Sequence, residues 1–349
     1  MQERPARLAG APLPAPNTTK PSRKKVTKAI IVEKAGGPEV LKWSEVQVGE
    51  PGEGQVRIRN TAIGLNYIDV YMRSGLYPIP TPGGLGLEAA GVIEAVGPGV
   101  SHVKAGDRVA YAGGPPGAYS ETRVMPAAPL VKLPDNVSDQ QAAALLLKGM
   151  TVQFLIRRTY KVKSGETVLL HAAAGGVGLI ACQWLKALGV TVIGTVSSEE
   201  KAALANANGC THTILYNKEN FAGRVRELTN GAGVPVVYDS VGKVTWDDSL
   251  SCLQPLGLMV SFGNTSGAVS PVNIGQLAAK GSLFVTRPIL ATYTAKPADL
   301  KATASDLFDV MASGKVKAEV GQTFALTDAA EAHRALESSK TVGSTVLVP

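Results

Sequence analysis

The sequence predicts an α/β protein in which a doubly wound parallel sheet of six strands is joined to a second, mostly β domain. Three observations predict it. An apolar run at Val168–His171 is followed by a glycine cluster and then by a helical pattern. Strand-like and helix-like runs alternate from Thr167 to Arg287, which is typical of a parallel sheet covered by helices. Between Val26 and Ser138, short apolar runs are separated by Gly/Pro turns, which is typical of a compact β domain.

The length and composition fit two globular domains. With 349 residues, of which 45% are hydrophobic and 18% are charged, the chain can bury two cores of ordinary size. No apolar run approaches the roughly 20 residues that a helix needs to cross a bilayer. The three cysteines are isolated in the sequence, which argues against a disulfide framework. They favour a reducing compartment, for which we expect the cytoplasm.

The first 25 residues are expected to form a disordered extension. They are rich in Pro, Ala and basic residues and show no apolar periodicity. Most of the net charge of +7 belongs to this end of the chain, because residues 1–28 hold seven basic residues and a single acidic one. The basicity therefore says little about the folded body. The sequence leaves open whether the extension is idle, an appended leader or an organelle-targeting peptide.

The elements of the β domain can be assigned in order along the chain. A short helix is expected at Tyr67–Arg73. Ser138–Gln141 has the pattern of a helix cap, which predicts one helix over Ala142–Leu147 and a second from about Gly149 to Tyr160. The strands predicted here are Lys28–Val32, Gln55–Ile63, Ala89–Val96 and Arg108–Tyr111.

The glycine cluster predicts a dinucleotide site in the parallel sheet. A glycine turn at the start of a helix exposes N–H groups that can bind a pyrophosphate. Ala173 replaces the first glycine of G-x-G-x-x-G, while Gly175 and Gly178 occupy the other two positions. A following strand completes a strand–helix–strand unit of roughly 30 residues. The six strands expected in this sheet are Val168–His171, Thr191–Thr195, Thr213–Leu215, Val236–Asp239, Leu258–Phe262 and Leu283–Thr286.

The C-terminal residues are expected to return to the β domain, because they show no third core. Two helices, at about Pro297–Ser313 and Thr327–Leu336, precede a last strand at Ser344–Val348. The sequence therefore predicts a cofactor domain over residues 150–287, and a β domain built from residues 26–149 and 288–349.

The end of the second parallel strand favours NADPH over NADH. An NAD-preferring sheet usually carries Asp or Glu at this point. Here the strand is followed by Ser197 and Ser198, and Lys201 lies one turn into the next helix. Hydroxyl donors and a cation suit a 2′-phosphate. Glu199 and Glu200 oppose this interpretation, although on a helix they can point away from the phosphate.

Five short motifs extend the interpretation: AIGLNYID at Ala62–Asp69, GLGLEAAG at Gly84–Gly91, KGMT at Lys148–Thr151, AAAGGVG at Ala172–Gly178 and VYDSVG at Val237–Gly242. In these motifs the chain resembles the medium-chain dehydrogenase/reductase superfamily, and within it the zinc-free NADPH:quinone oxidoreductases related to zeta-crystallin. The resemblance runs from about Val26 to Pro349. It implies a Rossmann cofactor domain and a GroES-like catalytic domain.

The sequence departs from the zinc alcohol dehydrogenases of the same superfamily. Those enzymes place a zinc-binding histidine just before the Glu of a Gly-His-Glu motif, where this chain has Leu87. No cysteine precedes Cys182, and none of the four histidines has ligand spacing, so we expect no zinc. Without a Lewis acid, alcohol oxidation lacks a means of stabilising an alkoxide. Reduction of a quinone needs only an aligned hydride donor and neutral hydrogen-bond donors.

The resemblance also implies which residues form the site. Asn66, Tyr71 and Tyr77 would line the nicotinamide and acceptor pocket, with Tyr71 or Tyr77 donating a hydrogen bond, or a proton by way of water, to the reduced oxygen. Arg287 would anchor the nicotinamide end. Close relatives carry an arginine near the C-terminus, where this chain has Ser339 and Lys340. The other implied cofactor contacts, besides Asn66, are Lys148, Thr151, Gly175, Gly176, Val177, Ser197, Lys201, Tyr216, Ser240, Phe262, Gly263, Asn264 and Thr265.

The leading hypothesis is NADPH-dependent reduction of a small planar quinone, by hydride or one-electron transfer. Reduction of an enone or 2-alkenal double bond would use the same groove, and the sequence does not separate the two reactions. Single-stranded RNA binding, known for some relatives, is supported only by the basic extension, which contains no stacking aromatic residue. A homodimer is expected from the resemblance alone.

Overall fold

The computed structural model describes residues 24–338 and 341–349. The predicted extension lies outside the described residues except for its last two, and Lys25 already belongs to the first strand. Ser339 and Lys340, which stand where relatives carry an arginine, also lie outside them. No helix in the described part of the chain is long and apolar enough to span a bilayer.

Two sheets are built mainly from the N-terminal part of the chain. Neighbouring strands in this part pair antiparallel. The first eight strands are β1 (Lys25–Val32), β2 (Leu41–Val48), β3 (Gln55–Leu65), β4 (Gly83–Gly84), β5 (Glu88–Val96), β6 (Arg108–Ala112), β7 (Thr122–Pro126) and β8 (Leu130–Lys132). The small sheet has the order β2-β1-β4, and β3, β5, β6 and β8 lie side by side in the large one, with β7 also paired to β3.

Two helices connect these sheets to the rest of the molecule. Helix α1 (Tyr67–Ser74) starts after Asn66 and ends at Gly75, whose φ of 86° lies in the left-handed region that favours glycine. Helix α2 (Asp139–Phe154) starts at the predicted cap, where the Ser138 hydroxyl accepts from the Gln141 N–H.

The predicted break at Gly149 is wrong, because α2 runs on to Phe154 and continues as a π-helical turn at Leu155–Thr159. Gly149 serves helix packing instead of ending the helix. A Cβ atom at this position would lie 2.5 Å from Cδ1 of the buried Leu307, which belongs to a later helix.

The six-stranded parallel sheet predicted from the sequence is confirmed. Its order is β11-β10-β9-β12-β13-β14, so the chain turns to the other half of the sheet at β9, as in doubly wound dinucleotide-binding folds. The strands are β9 (Thr167–Leu170), β10 (Thr191–Val196), β11 (His212–Leu215), β12 (Val234–Asp239), β13 (Leu253–Ser261) and β14 (Phe284–Thr286). The helices between them are α3 (Gly176–Ala187), α4 (Glu199–Ala207), α5 (Phe221–Leu228), α6 (Trp246–Cys252) and α7 (Gly275–Ala279).

The C-terminal residues complete the large sheet. Its last strand pairs antiparallel with β3 and parallel with the preceding strand, so residues from both ends of the chain share one sheet. The exact domain limits given above stay a prediction. The elements of this part are α8 (Leu290–Tyr293), α9 (Pro297–Ala312), β15 (Val320–Ala325), α10 (Ala329–Glu337) and β16 (Ser344–Val348), with short 3-10 turns at Pro38–Val40 and Leu326–Asp328.

A continuous apolar core joins the two parts through α2. The helix packs against β3 and β5 on one side and against α3 and α9 on the other. Ala90 of β5, Leu146 of α2 and Trp184 of α3 belong to the same buried cluster. This packing sets the carboxyl edge of the parallel sheet opposite α1, and the predicted groove would lie between them.

Candidate cofactor and acceptor site

The glycine turn after β9 depends on close backbone packing. Ala172 has a φ of 54°, and a Cβ at Gly178 would lie 2.3 Å from the Ala172 carbonyl oxygen. Gly178 therefore allows α3 to begin directly against the turn. Ala173, at the position of the missing first glycine, is fully buried against β10. Gly194 of β10 makes room for its methyl group, because a Cβ at Gly194 would lie 2.6 Å from Ala173 Cβ.

The first turn of α3 is suited to an anion. Its N–H groups have no intrahelical partners, and it contains no acidic residue. Lys148 of α2 lies beside it, since a Cβ at Gly176 would be 2.8 Å from Lys148 Cδ. Gly343 also bridges to Gly175. The structure thus brings together Lys148 and the predicted Gly175, Gly176 and Val177, while Thr151, one turn further along α2, donates to the Leu147 carbonyl oxygen at 2.7 Å.

The residues after β10 form the predicted 2′-phosphate region. The Ser198 hydroxyl caps α4 by accepting from the N–H of Lys201 at 3.3 Å. Glu199 is engaged elsewhere, in an ion pair with Lys218 at 2.9 Å. The Ser198 hydroxyl donates to the Glu200 carboxylate, which keeps this carboxylate close and lowers the pKa of Glu200. Ser197, Lys201 and one opposing carboxylate therefore share this corner.

Tyr216 lies at the same edge of the sheet. It follows β11, its N–H reaches the Val196 carbonyl oxygen at 3.3 Å, and 53% of its surface is exposed. A broad exposed ring at this edge is suited to stacking on a planar base.

The loops after β12 and β13 pack backbone against backbone. The Thr265 N–H donates to the Ser240 carbonyl oxygen at 3.3 Å, and that of Phe262 donates to the Asp239 carbonyl oxygen at 2.8 Å. A Cβ at Gly263 would lie 2.3 Å from the Ser240 carbonyl oxygen, so glycine is required there. The two predicted groups, Ser240 and Phe262–Thr265, are neighbours in space.

Hydrogen bonds cross the groove between α1 and the parallel sheet. The Tyr71 hydroxyl accepts from the Asn264 N–H at 2.9 Å, and Arg287 Nη2 donates to the Tyr77 hydroxyl at 2.9 Å. Arg287 Nη1 donates to the Gly263 carbonyl oxygen at 3.0 Å. With its amide nitrogen turned toward that carbonyl, Asn264 offers its side-chain oxygen to Arg287 at 3.1 Å. The two tyrosines therefore face the nicotinamide end of the predicted site.

Tyr71 keeps its proton at neutral pH. Burial raises the pKa of Tyr71 to about 12. The two rings meet edge to face, with their centroids 5.3 Å apart. Tyr71 can therefore donate a hydrogen bond without losing its proton in the resting state.

Asn66 is held from two sides. Its N–H donates to Asp69 Oδ2 at 2.9 Å, and its side-chain nitrogen donates to Glu88 Oε2 at 2.7 Å. Glu88 is fully buried, accepts from the Leu147 N–H at 2.6 Å, and lies 3.5 Å from Lys148 Nζ. Desolvation raises the pKa of Glu88.

Comparison with known proteins gives the family. The alcohol dehydrogenase GroES-like domain family matches residues 52–135, and the zinc-binding dehydrogenase family matches residues 176–307. The quinone oxidoreductase of Pseudomonas aeruginosa is 57% identical over 325 residues, which cover 93% of this chain and all of that relative. The chain belongs to the quinone oxidoreductase family.

Two further relatives extend the comparison. The solved structure of Escherichia coli quinone oxidoreductase complexed with NADPH superimposes with a TM-score of 0.91 at 51% identity, and the match covers 92% of this chain and 100% of that one. A 2-haloacrylate reductase from a Burkholderia species is 47% identical over 329 residues, which cover 92% of this chain and 98% of the relative. The membership predicted from the five motifs is confirmed.

In this chain an apolar residue occupies the position at which the zinc alcohol dehydrogenases have a zinc-binding histidine. Leu87 directly precedes Glu88 on β5. Among residues 24–338 and 341–349, no cluster of three or more His, Cys, Asp and Glu side chains could hold a metal ion. The absence of zinc from the active protein stays a prediction.

Sequence reasoning missed three residues of the site. Glu88 and Asp69 stand out in the sequence only as parts of motifs, and Gly343 does not stand out at all. A signal for Glu88 was present, because a carboxylate inside an apolar strand needs a buried partner. Nothing local could indicate Gly343, since it reaches the glycine turn only through the return of the chain to the large sheet.

Proposed function

We propose that the protein is an NADPH:quinone oxidoreductase that works without zinc. One groove combines a glycine turn at a helix start, a serine- and lysine-containing corner after the second parallel strand, and two tyrosines opposite. This juxtaposition is the observation that carries the proposal. The names of its close relatives support quinones as the acceptor class.

The residues of the groove fit NADPH. Gly175, Gly176 and Val177, with Lys148 beside them, would hold the pyrophosphate, and Ser197 and Lys201 the 2′-phosphate. When bound, the cofactor supplies a hydride to the acceptor. The remaining contacts that we propose along it are Asn66, Thr151, Tyr216, Ser240, Phe262, Gly263, Asn264, Thr265 and Arg287.

The chain contributes orientation and hydrogen-bond donation. The Tyr71 hydroxyl accepts from the Asn264 N–H, so its own proton can be donated to an acceptor oxygen. Arg287 leaves the Tyr77 proton available in the same way. These neutral donors would stabilise negative charge as it develops on the acceptor oxygen. Asn66, fixed by Glu88 and Asp69, would set the position of the hydride donor.

The cofactor assignment is tested by titration with NADPH and NADH. We expect tighter binding of NADPH, and a loss of about 10- to 100-fold for NADPH alone in Lys201→Ala, the range expected for a charge-assisted hydrogen bond. Lys280→Ala, which removes an exposed lysine far from the groove, is the control and should bind as the parent does. Equal affinities of the parent for the two cofactors would refute the 2′-phosphate assignment.

A second reaction, reduction of an activated carbon–carbon double bond, is favoured by the 2-haloacrylate reductase relative. Steady-state rates with 1,4-benzoquinone, 9,10-phenanthrenequinone and a 2-alkenal separate the two. We expect kcat/KM to be higher for the quinones. A higher value for the alkenal would replace the main proposal by the second one. Superoxide formation during quinone turnover would reveal one-electron transfer.

We further propose that the protein is a cytoplasmic homodimer. Strand β14 ends the parallel sheet, and Phe284 on it and Ile289 after it are 60% and 58% exposed, so this edge offers an apolar surface for a second copy. A solution mass of a single chain would overturn the dimer.

The three buried cysteines are free, which supports a reducing compartment. The extension that speaks for RNA binding lies almost wholly outside the described residues, so that function remains a sequence-based alternative.

A further inference from the structure

A chain of buried polar side chains leads from Asn66 to the molecular surface. Asp69 Oδ2 accepts from the Asn66 N–H and lies 3.0 Å from the Tyr119 hydroxyl. The Tyr119 hydroxyl lies 3.1 Å from His333 Nε2, and His333 Nδ1 lies 3.0 Å from Arg73 Nη1. Arg73 is held by Glu337, whose side chain is 32% exposed at the end of α10.

The direction of each hydrogen bond in this chain follows from its members. A guanidinium can only donate, so His333 Nδ1 must accept from Arg73. The single proton of the neutral ring then lies on Nε2 and is donated to the Tyr119 oxygen. Tyr119 in turn donates its own proton to Asp69 Oδ2. Burial and the charge of Arg73 lower the pKa of His333 to about 3, which keeps the ring in this neutral form.

Asp69 is the group in this chain that can change its charge near neutral pH. It is fully buried, and among the described residues no donor reaches its Oδ1 atom. Glu88 of β5 repels its charge, while Lys148 of α2 attracts it. Beyond Asp69 the chain runs through Tyr119, His333 and Arg73, whose hydrogen bonds have the directions described above. Desolvation raises the pKa of Asp69 to about 7.

We propose that Asp69 is a positioning residue whose ionisation, set through the Arg73–His333–Tyr119 chain, fixes Asn66 and the start of α1 at the groove and so controls the reduction step. This inference rests on the proposed quinone reduction. Asp69 also acts on the groove through the helix itself, because α1 begins after Asn66 and contains both Asp69 and Tyr71.

The ionised form of Asp69 is the better anchor. A carboxylate accepts hydrogen bonds more strongly than a carboxylic acid, and negative charge in the first turn of a helix is stabilised by the helix dipole. The Asn66 N–H is therefore held most firmly when Asp69 is charged. We expect kcat for quinone reduction to rise with pH as Asp69 loses its proton, while NADPH binding changes little.

The first test is Asp69→Asn, which keeps an oxygen to accept from Asn66 and Tyr119 but cannot ionise. We expect the rise in kcat to disappear, and kcat at alkaline pH to fall about tenfold, less than the roughly 100-fold that a 1 Å misplacement can cost. Infrared difference spectra between acid and alkaline solution should show a protonated carboxyl band in the parent that the variant lacks. A variant that keeps both the band and the pH profile overturns the proposal.

The second test is Tyr119→Phe, which keeps Asp69 but removes the hydrogen bond that stabilises its charge. The midpoints of the kcat profile and of the infrared band should both shift to higher pH. Tyr111→Phe is the matched control, because Tyr111 is also fully buried in the β domain and donates to Asn60, outside this chain. An unmoved midpoint in Tyr119→Phe, or an equal shift in the control, overturns the proposal.

Failure of the proposed function gives a different result. If the parent reduces no quinone but its infrared band titrates and moves in Tyr119→Phe, the proton-binding chain is present and the reaction assignment is wrong. If quinones are reduced and no band titrates near neutral pH, the reaction stands and the role of Asp69 is refuted.

Discussion

At Gly178 one side-chain atom decides whether the cofactor turn can form. A Cβ there would lie 2.3 Å from the Ala172 carbonyl oxygen and 2.6 Å from the Ala173 carbonyl group, and these backbone atoms cannot rotate away. We expect Gly178→Ala to lower the free energy of unfolding by about 1–3 kcal/mol, as overpacking does, and to abolish tight NADPH binding. Urea denaturation and NADPH titration measure the two effects.

Gly223 provides the control for this substitution. It occupies the same third position of its helix, α5, and a Cβ there would have Asn220 Oδ1 as its nearest neighbour, at 3.5 Å. Gly223→Ala should leave stability unchanged or raise it by up to about 1 kcal/mol, since alanine favours helix. Equal losses in the two variants would contradict the packing explanation.

The buried carboxyl of Asp69 makes stability depend on pH. Its pKa rises from 3.8 to about 7 on folding. Well below pH 3.8 the Asp69 carboxyl is protonated in both the folded and the unfolded state. Above that value the unfolded state ionises first, so the folded state loses stability as the pH rises to about 7. Relative to Asp69→Asn, the parent should lose on the order of 4 kcal/mol over this interval. Urea denaturation of both proteins across the range measures it, and parallel pH curves would contradict the assignment.

The residues of the candidate site could be predicted where their chemistry is local. Gly175 and Gly176 stand in a recognisable turn, and Ser197 and Lys201 follow a strand end. The contact that lets Ala173 replace the first glycine, with Gly194 making room for its methyl group, could not be predicted. The two residues meet only because the turn after β9 packs against β10. The same holds for Asp69, whose importance comes from Tyr119 and His333, far away in the sequence.

At the scale of helices and strands, Gly149 led to the wrong prediction of a break in α2. Gly149 predicts a break on propensity, but Leu307 of α9 fills the space above it. Gly149→Ala should cost about 1–3 kcal/mol by overpacking, and Leu307→Ala about 2–5 kcal/mol by leaving a cavity. Because the new methyl group would occupy part of that cavity, the double variant should lose less than the two single losses combined. Additive losses in a urea-denaturation cycle would contradict this.

Several of the predicted strands have a buried face. β3, β5 and β10 each place apolar residues in the core. β15 escaped prediction because none of its residues is buried, so no apolar alternation marks it. β2 is similar, with buried residues only at its two ends, Leu41 and Val48. Such strands are fixed by their neighbours in the sheet and not by their own pattern.

At the scale of the whole molecule, the last strand holds the β domain together. β16 lies between β15 and β3, and four of its five residues are buried. A chain ending at Gly343 should therefore lose cooperative unfolding of the β domain, while removal of the exposed Pro349 alone should change nothing. Thermal unfolding followed by circular dichroism compares the three proteins. A parent-like transition in the shortened chain would contradict this dependence.

The position of β16 also has a consequence for synthesis of the protein. Residues 167–286 supply every strand of the parallel sheet, so this unit can fold on the ribosome while later residues are still being added. The large β sheet has to wait for Ser344–Val348, which follow the whole of the parallel sheet in the sequence. A nascent chain therefore completes the sheet that we propose to hold the nucleotide before it completes the sheet that we propose to face the acceptor.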